Sequence, residues 1–226
     1  ADVASMVDAR KQEIVDGKFK VFCGPLNAAD GTEVLPAGKC LSLDEQLNMD
    51  FFIDGVQGEA PSAGGALEGE ASPFDASGAA GAMGDTKVAF IYVGPVGDLG
   101  WSYAHDQGRI KMADALGVET AYAELVPEGP DSARVIRDYA EKGYSPIFAT
   151  SFGYMDGVIE VAADYPDTVF EHATGYKTAD NVGIYDGRGY QGWYLAGIVA
   201  GSMTESNQLG YVAPYPIPEV VRNMNA

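Results

Sequence analysis

Residues 87–94, KVAFIYVG, form an unbroken apolar run that stops at a glycine. A strand whose residues alternate can leave one face in water. One that does not alternate must be covered on both faces, as strands inside parallel sheets are. The residues that follow repeat the constraint. WSYAHDQGRIKMADALG reads as a helix closed by Gly117, VETAYAELV as a second strand, and SARVIRDYAEKG as a helix ending on glycine. SPIFATS is a third strand, followed by the helix FGYMDGVIEVAADYP, and TVFEHATG and NVGIYDG are further strands. GYQGWYLAGIVAGSMT reads as a long, mostly core helix, and QLGYVAP as one more strand leading into IPEVVRNMNA. Strands alternating with helices at this spacing require right-handed crossovers. The expected fold is therefore α/β, a doubly wound, mainly parallel sheet with helices on both faces. Ligands of such sheets sit beyond the carboxyl ends of the strands.

What precedes this run is different in kind. Residues 58–84 are rich in Gly, Ala, Ser, Pro and Glu, have no periodicity and carry few large apolar side chains. Such a stretch buries too little to offset its ordering entropy and reads as a flexible linker. Before it, residues 1–57 offer a helix over Asp2–Gly17, short extended pieces (KFKVF and TEVLPAG), and Ser42 with Glu45 in capping-box register. That block lacks a buried strand of its own and should not fold alone. The division read from the sequence is 1–57, linker 58–84, and an α/β region over 85–226.

With 33 acidic against 14 basic residues, the formal net charge is −19. A chain so charged is repelled by nucleic acid and by anionic membrane surfaces, which argues against both as partners. No apolar run approaches the ~20 residues of a membrane span. ADVASMVDARK has no basic segment followed by an apolar one, so no secretion signal is read there. Two cysteines, Cys23 and Cys40, flank the turn-rich NAADGTE. A hairpin there would bring them together; the expectation is a disulfide, with free buried thiols as the alternative, and a disulfide would point to an oxidising compartment. Two cysteines and two distant histidines make no metal-ligand pattern, and no cofactor is implied.

The first strand end, VGPVGDLGWSYAHDQG, brings together Asp98, Trp101, Tyr103, His105 and Asp106. Its glycines are spaced by three, unlike a dinucleotide loop, and no phosphate-cradling lysine motif occurs. Two aromatics provide a stacking surface, while the carboxylates and imidazole can orient a polar ring ligand. Packing and capping are the alternative use of the same residues. The third strand ends in TSFGYMDG, offering Ser151, Phe152 and Tyr154, without the sequence of a nucleophile elbow. YDGRGYQGWYLAG adds Arg188, Tyr190 and Gln191. His172, inside a strand, reads as structural.

KVAFIYVGPVGDLGWSYAHDQGR, NVGIYDGRGYQGWYLAGIVAG and GYVAPYPIPEVVRNMNA closely resemble the N-terminal part of the basic membrane protein family. These are substrate-binding lipoproteins of ABC importers and include purine nucleoside receptors. Residues 1–57 resemble the C-terminal segment of the same family, so the chain looks circularly permuted and lacks most of the second lobe. The resemblance implies a periplasmic-binding-protein-like (type I) lobe and a nucleoside-like ligand held between two lobes. It implies an ABC permease as partner, a periplasmic or extracellular, membrane-anchored parent, and no catalysis. Ligand contacts would come from Asp98, Trp101, Tyr103, His105, Asp106, Phe152, Tyr190 and Gln191. The missing lobe would come from a second polypeptide or a second copy. Two other readings remain: a structural or assembly half-domain, and a nucleoside-modifying enzyme.

Overall fold

A computed structural model of the chain describes residues 2–58 and 86–226. Apart from Gly58, the expected linker lies outside the described residues. In chain order the elements are α1 (Val3–Val15), β1 (Leu26–Asn27), β2 (Glu33–Leu35), α2 (Leu43–Leu47), β3 (Lys87–Ile91), α3 (Trp101–Leu116) and β4 (Glu119–Ala123). They continue with α4 (Pro130–Glu141), β5 (Ile147–Ala149), α5 (Met155–Asp164), β6 (Phe170–Ala173), β7 (Val182–Tyr185), α6 (Gly189–Met203) and α7 (Pro218–Asn225). The described residues fall into two compact units, one made of 2–58 with 187–226, the other of 86–186.

The second unit carries the sheet, five parallel strands in the order β4-β3-β5-β6-β7. Strand β3 shows why its sequence cannot alternate. Ala89 and Ile91 enter a core with Ile136 and Ala140 of α4 and Val158 and Val161 of α5, while Val88 and Phe90 pack on the other face with Tyr92, Val118 and Met112 of α3. Both faces of the strand are covered, as an unbroken apolar run requires. Helix α3 lies on one side and α4 and α5 on the other, the doubly wound arrangement. Gly117 closes α3 in the left-handed conformation (φ 67°), which costs a glycine little.

In the first unit β1 and β2 pair antiparallel, and Cys23 is bonded to Cys40 beside them. Ser42 and Glu45 form the reciprocal capping box: the Glu45 N–H donates to Ser42 Oγ (3.2 Å) and the Ser42 N–H to Glu45 Oε2 (2.7 Å). Phe22, Leu35, Leu41, Met49 and Phe52 share a core with Tyr190 and Val221, so the N-terminal block buries its apolar groups against the chain's C-terminal stretch. Asn225 fastens this join by donating to the Phe51 carbonyl (2.7 Å) and accepting from the Ile53 N–H (3.3 Å).

Two expectations fail here. Residues 208–213 form no strand, because no described segment pairs with them and an extended stretch without a ladder partner gains nothing from its β propensity. Val212 is 94% exposed. Helix α6 is not mostly core either: Tyr190 is its only buried residue.

Candidate functional site

In a sheet of this order the chain leaves β3 for β4 on one side and returns to β5 on the other. In sheets of this kind ligands bind at that switch, beyond the carboxyl ends of the strands. The two loops there are 92–100 after β3 and 150–154 after β5. Trp101, the first residue of α3, ties them together: its indole Nε1–H donates to the Thr150 carbonyl at 2.5 Å. Thr150 is itself fully buried, its hydroxyl donating to the Ile91 carbonyl at 2.9 Å. The indole is thus fixed along one edge and remains 38% exposed.

His105 lies one turn further along α3, its ring 4.6 Å from the Trp101 ring and 6.0 Å from that of Tyr185. Its Nδ1 faces the Trp101 carbonyl at 2.9 Å, so Nδ1 carries the proton and donates. Burial lowers its pKa, although the carbonyl works the other way. A neutral ring results, with Nε2 as an acceptor. Tyr103 is exposed by the same 38%.

Asp98 is used differently. It accepts from the N–H groups of Gly100 (2.7 Å), Tyr103 (3.0 Å) and Ser102 (3.1 Å), capping the start of α3. Desolvation is the largest single influence and pushes its pKa up, but the donors together outweigh it and hold the carboxyl below its ordinary value. Asp106 is buried in an ion pair with Arg109 (2.7 Å) and accepts from the Tyr92 hydroxyl (3.3 Å). Arg109 reaches on to the Thr120 hydroxyl at 2.8 Å and lies over the Tyr122 ring at 4.8 Å. That chain of contacts ties α3 to β3 and β4.

Phe152 is half-buried in the β5 loop, its ring 6.1 Å from Tyr176. Its neighbour Ser151 gives its carbonyl to His172 Nε2 at 2.7 Å. His172 is fully buried with its pKa lowered by desolvation, so it is neutral and Nε2 bears the proton. Glu128, in the loop after β4, accepts from the Ser151 hydroxyl (2.5 Å) and from the Gly153 N–H (3.2 Å). Glu128, Thr150, Tyr176 and Tyr185 were not singled out from the sequence. The only signal for the first is its place at a strand's carboxyl end, in VPEGP.

Tyr190 and Gln191 belong to the first unit. Tyr190 is buried there, its ring 5.1 Å from Phe22 and 5.7 Å below the Arg222 guanidinium. The Gln191 N–H donates to the Arg188 carbonyl at 3.0 Å. That unit also has an open hollow of about 1010 Å³ walled by Trp193, Tyr211, Tyr215 and Phe52, and none of the sequence-derived candidates lines it. Among the described residues no group of His, Cys, Asp and Glu is placed to hold a metal ion, and no helix is long and apolar enough to cross a membrane.

Comparison with known proteins places these loops in context. A family model described as ABC transporter substrate-binding protein, PnrA-like, matches residues 85–226. A purine-binding protein of Brucella abortus (strain 2308) is 50% identical over 155 residues, covering 68% of this chain and 44% of its own. A Haloferax volcanii protein named as an ABC transporter glucose-binding protein is 52% identical over 141 residues, covering 62% of this chain and 36% of its own. The chain thus spans less than half the length of these two relatives. A solved ABC transporter solute-binding protein from Aeropyrum pernix K1 aligns with a TM-score of 0.46 and 25% identity, over 51% of this chain and 32% of that one.

Proposed function

Because the chain belongs to the PnrA-like family of ABC transporter substrate-binding proteins, we propose that residues 86–186 form a recognition lobe for a purine nucleoside. The family is one of binding proteins rather than enzymes. The observation that carries the reading is Trp101: an indole locked to the Thr150 carbonyl across the switch point, yet with much of its ring open. A planar base stacks on such a face without needing a charge. The neutral His105, with Nε2 as acceptor, and Phe152 supply polar and aromatic contacts for the same ligand, and Tyr103 flanks them. The purine named for the Brucella relative supports a base, and the glucose named for the Haloferax relative is the competing reading.

On this reading the chain works outside the cytoplasm, periplasmic or extracellular, and delivers its ligand to an ABC permease. We further propose that the order of its segments is permuted. In support, residues 2–58 pack in one unit with residues 187–226, as they would if the family's last segment had been moved to the front. We also propose a second polypeptide or a second copy of the chain as a partner, and native mass spectrometry reads either as added mass.

Calorimetric titration with adenosine, guanosine and glucose tests the ligand. Adenosine or guanosine should bind and glucose should not, and Trp101→Ala should weaken binding by at least ~1 kcal/mol, the lower range for one stacked base. Glucose binding alone would replace the nucleoside reading with a sugar receptor. Affinity unchanged in a folded Trp101→Ala protein would remove the stacking role.

A further inference from the structure

We propose that Glu128, which stands outside the ligand crevice's own two loops, is the positioning residue for Phe152. The proposal rests on the nucleoside reading above, and it concerns how the aromatic wall is held. Phe152 sits between two residues, and both are tied to one carboxylate oxygen. Glu128 Oε1 accepts from the Ser151 hydroxyl at 2.5 Å and from the Gly153 N–H at 3.2 Å. A third tie comes from the sheet, where His172 Nε2 donates to the Ser151 carbonyl at 2.7 Å. A fourth comes from Trp101, which donates to the preceding carbonyl, that of Thr150. Tyr154, the next side chain along, is fully buried and donates its hydroxyl to the Val126 carbonyl at 2.6 Å, so the turn is fastened beyond Phe152 as well.

The fit around the carboxylate accounts for the glycine at 153. A Cβ there would collide with the Glu128 carboxyl. With the carboxyl where its Oε1 takes the Gly153 N–H, a Cβ has no room, and a side chain there would push the end of Glu128 aside. The loop after β4 therefore dictates the shape of the loop after β5. Holding Phe152 in place before the ligand arrives removes an ordering cost from binding, which raises affinity without any contact from Glu128 to the ligand.

Three variants separate positioning from mere folding. Glu128→Gln keeps an acceptor oxygen at the same reach, Glu128→Ala removes it, and Gly153→Ala pushes against it. Two readouts are taken on each, with thermal melting as the check on folding: hydrogen exchange of the Gly153 amide and titration with adenosine. The expected result is that Glu128→Ala speeds Gly153 exchange and weakens adenosine binding about tenfold, the effect of losing one or two hydrogen bonds that order the loop. Glu128→Gln should restore both to within about threefold, since the acceptor survives. Gly153→Ala should behave like Glu128→Ala. Unchanged Gly153 exchange in Glu128→Ala would overturn the clamp, and faster exchange with unaltered adenosine affinity would overturn its role in binding. If the unaltered protein binds neither adenosine nor guanosine, the nucleoside reading fails by itself, while the exchange data still decide the clamp.

Discussion

Replacing Asp106 separates two uses of a residue that the sequence places beside the aromatic cluster. In the structure its carboxylate bonds Arg109 Nε at 2.7 Å and receives the Tyr92 hydroxyl at 3.3 Å. The side chains of Asp106 and Arg109 keep only 10% and 14% of their exposure, and Tyr92 keeps none. In Asp106→Ala the Tyr92 hydroxyl is left buried and without this acceptor, at a cost of about 1–3 kcal/mol. Arg109 loses its counter-ion but retains Thr120 and the Tyr122 ring, so the further loss falls well short of the 3–5 kcal/mol of a fully buried, isolated pair. A total of roughly 3 kcal/mol is expected, measured as the change in urea-unfolding free energy. Tyr92→Phe alone should cost about 1 kcal/mol. Combined with Asp106→Ala it should cost less than the sum, because the orphaned hydroxyl is gone. Ligand affinity, measured well below the melting temperature, should change little in all three variants. A loss below about 0.5 kcal/mol in Asp106→Ala, or a stability near that of the unaltered protein with ligand binding abolished, would refute this account and return Asp106 to the binding site.

Three other predictions concern the whole chain. Replacing Cys23 and Cys40 by Ser should lower stability by about 3 kcal/mol, since the bond closes a loop with a sequence separation of 17, and thiol titration of the denatured, unreduced protein should find no free thiol. Stability should fall as pH drops below about 6.5, where unfolded histidine takes up a proton. Both histidines have lowered pKa values in the folded state, so the unfolded chain binds more protons in the window from 6.5 down to the folded values, and acid favours it. His172→Asn, which keeps a side-chain donor, should flatten that slope in pH-dependent melting. With a net charge of −19, the melting temperature should rise between low salt and molar NaCl as self-repulsion is screened; a flat or falling curve would show that the acidic surface does not strain the fold.

Much of the fold was legible because burial writes itself into composition. The unbroken KVAFIYVG run, closed by glycine, announces a strand covered on both faces, and β3 is one. Gly117 marked the end of α3, and Ser42 with Glu45 marked the start of α2, since caps depend on two or three neighbouring residues. QLGYVAP misled for the opposite reason. Strand propensity is local, but a strand exists only with a partner, and no described segment supplies one. Helix α6 was overread in the same way, because apolar composition shows what a helix could bury and not what lies against it. At the site the aromatics were visible as types. What each carboxylate touches was not, because Glu128 and Ser151 are joined by folding alone, at a separation of 23 residues.

The carboxylates also bear on what the crevice can recognise. Asp98 is engaged by three N–H groups at the start of α3, and Asp106 by a cation and a phenol. Glu124 accepts from the Val96 N–H at 2.8 Å, and Glu128 from Ser151 and Gly153. Asp98, Glu124 and Glu128 thus hold backbone N–H groups of the loops around them, and Asp106 holds two side chains. What remains directed outward is ring surface from Trp101 and Tyr103, with the Nε2 acceptor of a neutral His105 beside them. On the proposed reading, such a surface would select for a flat, uncharged ligand with polar edges. Converting Trp101 to Phe should then be milder than converting it to Ala. A smaller aromatic face persists, while the tie to the Thr150 carbonyl is lost, about 0.5–1.5 kcal/mol for a single hydrogen bond, together with part of the indole's area. Equal losses from the two substitutions would mean that the tie, rather than the ring face, is what the ligand depends on.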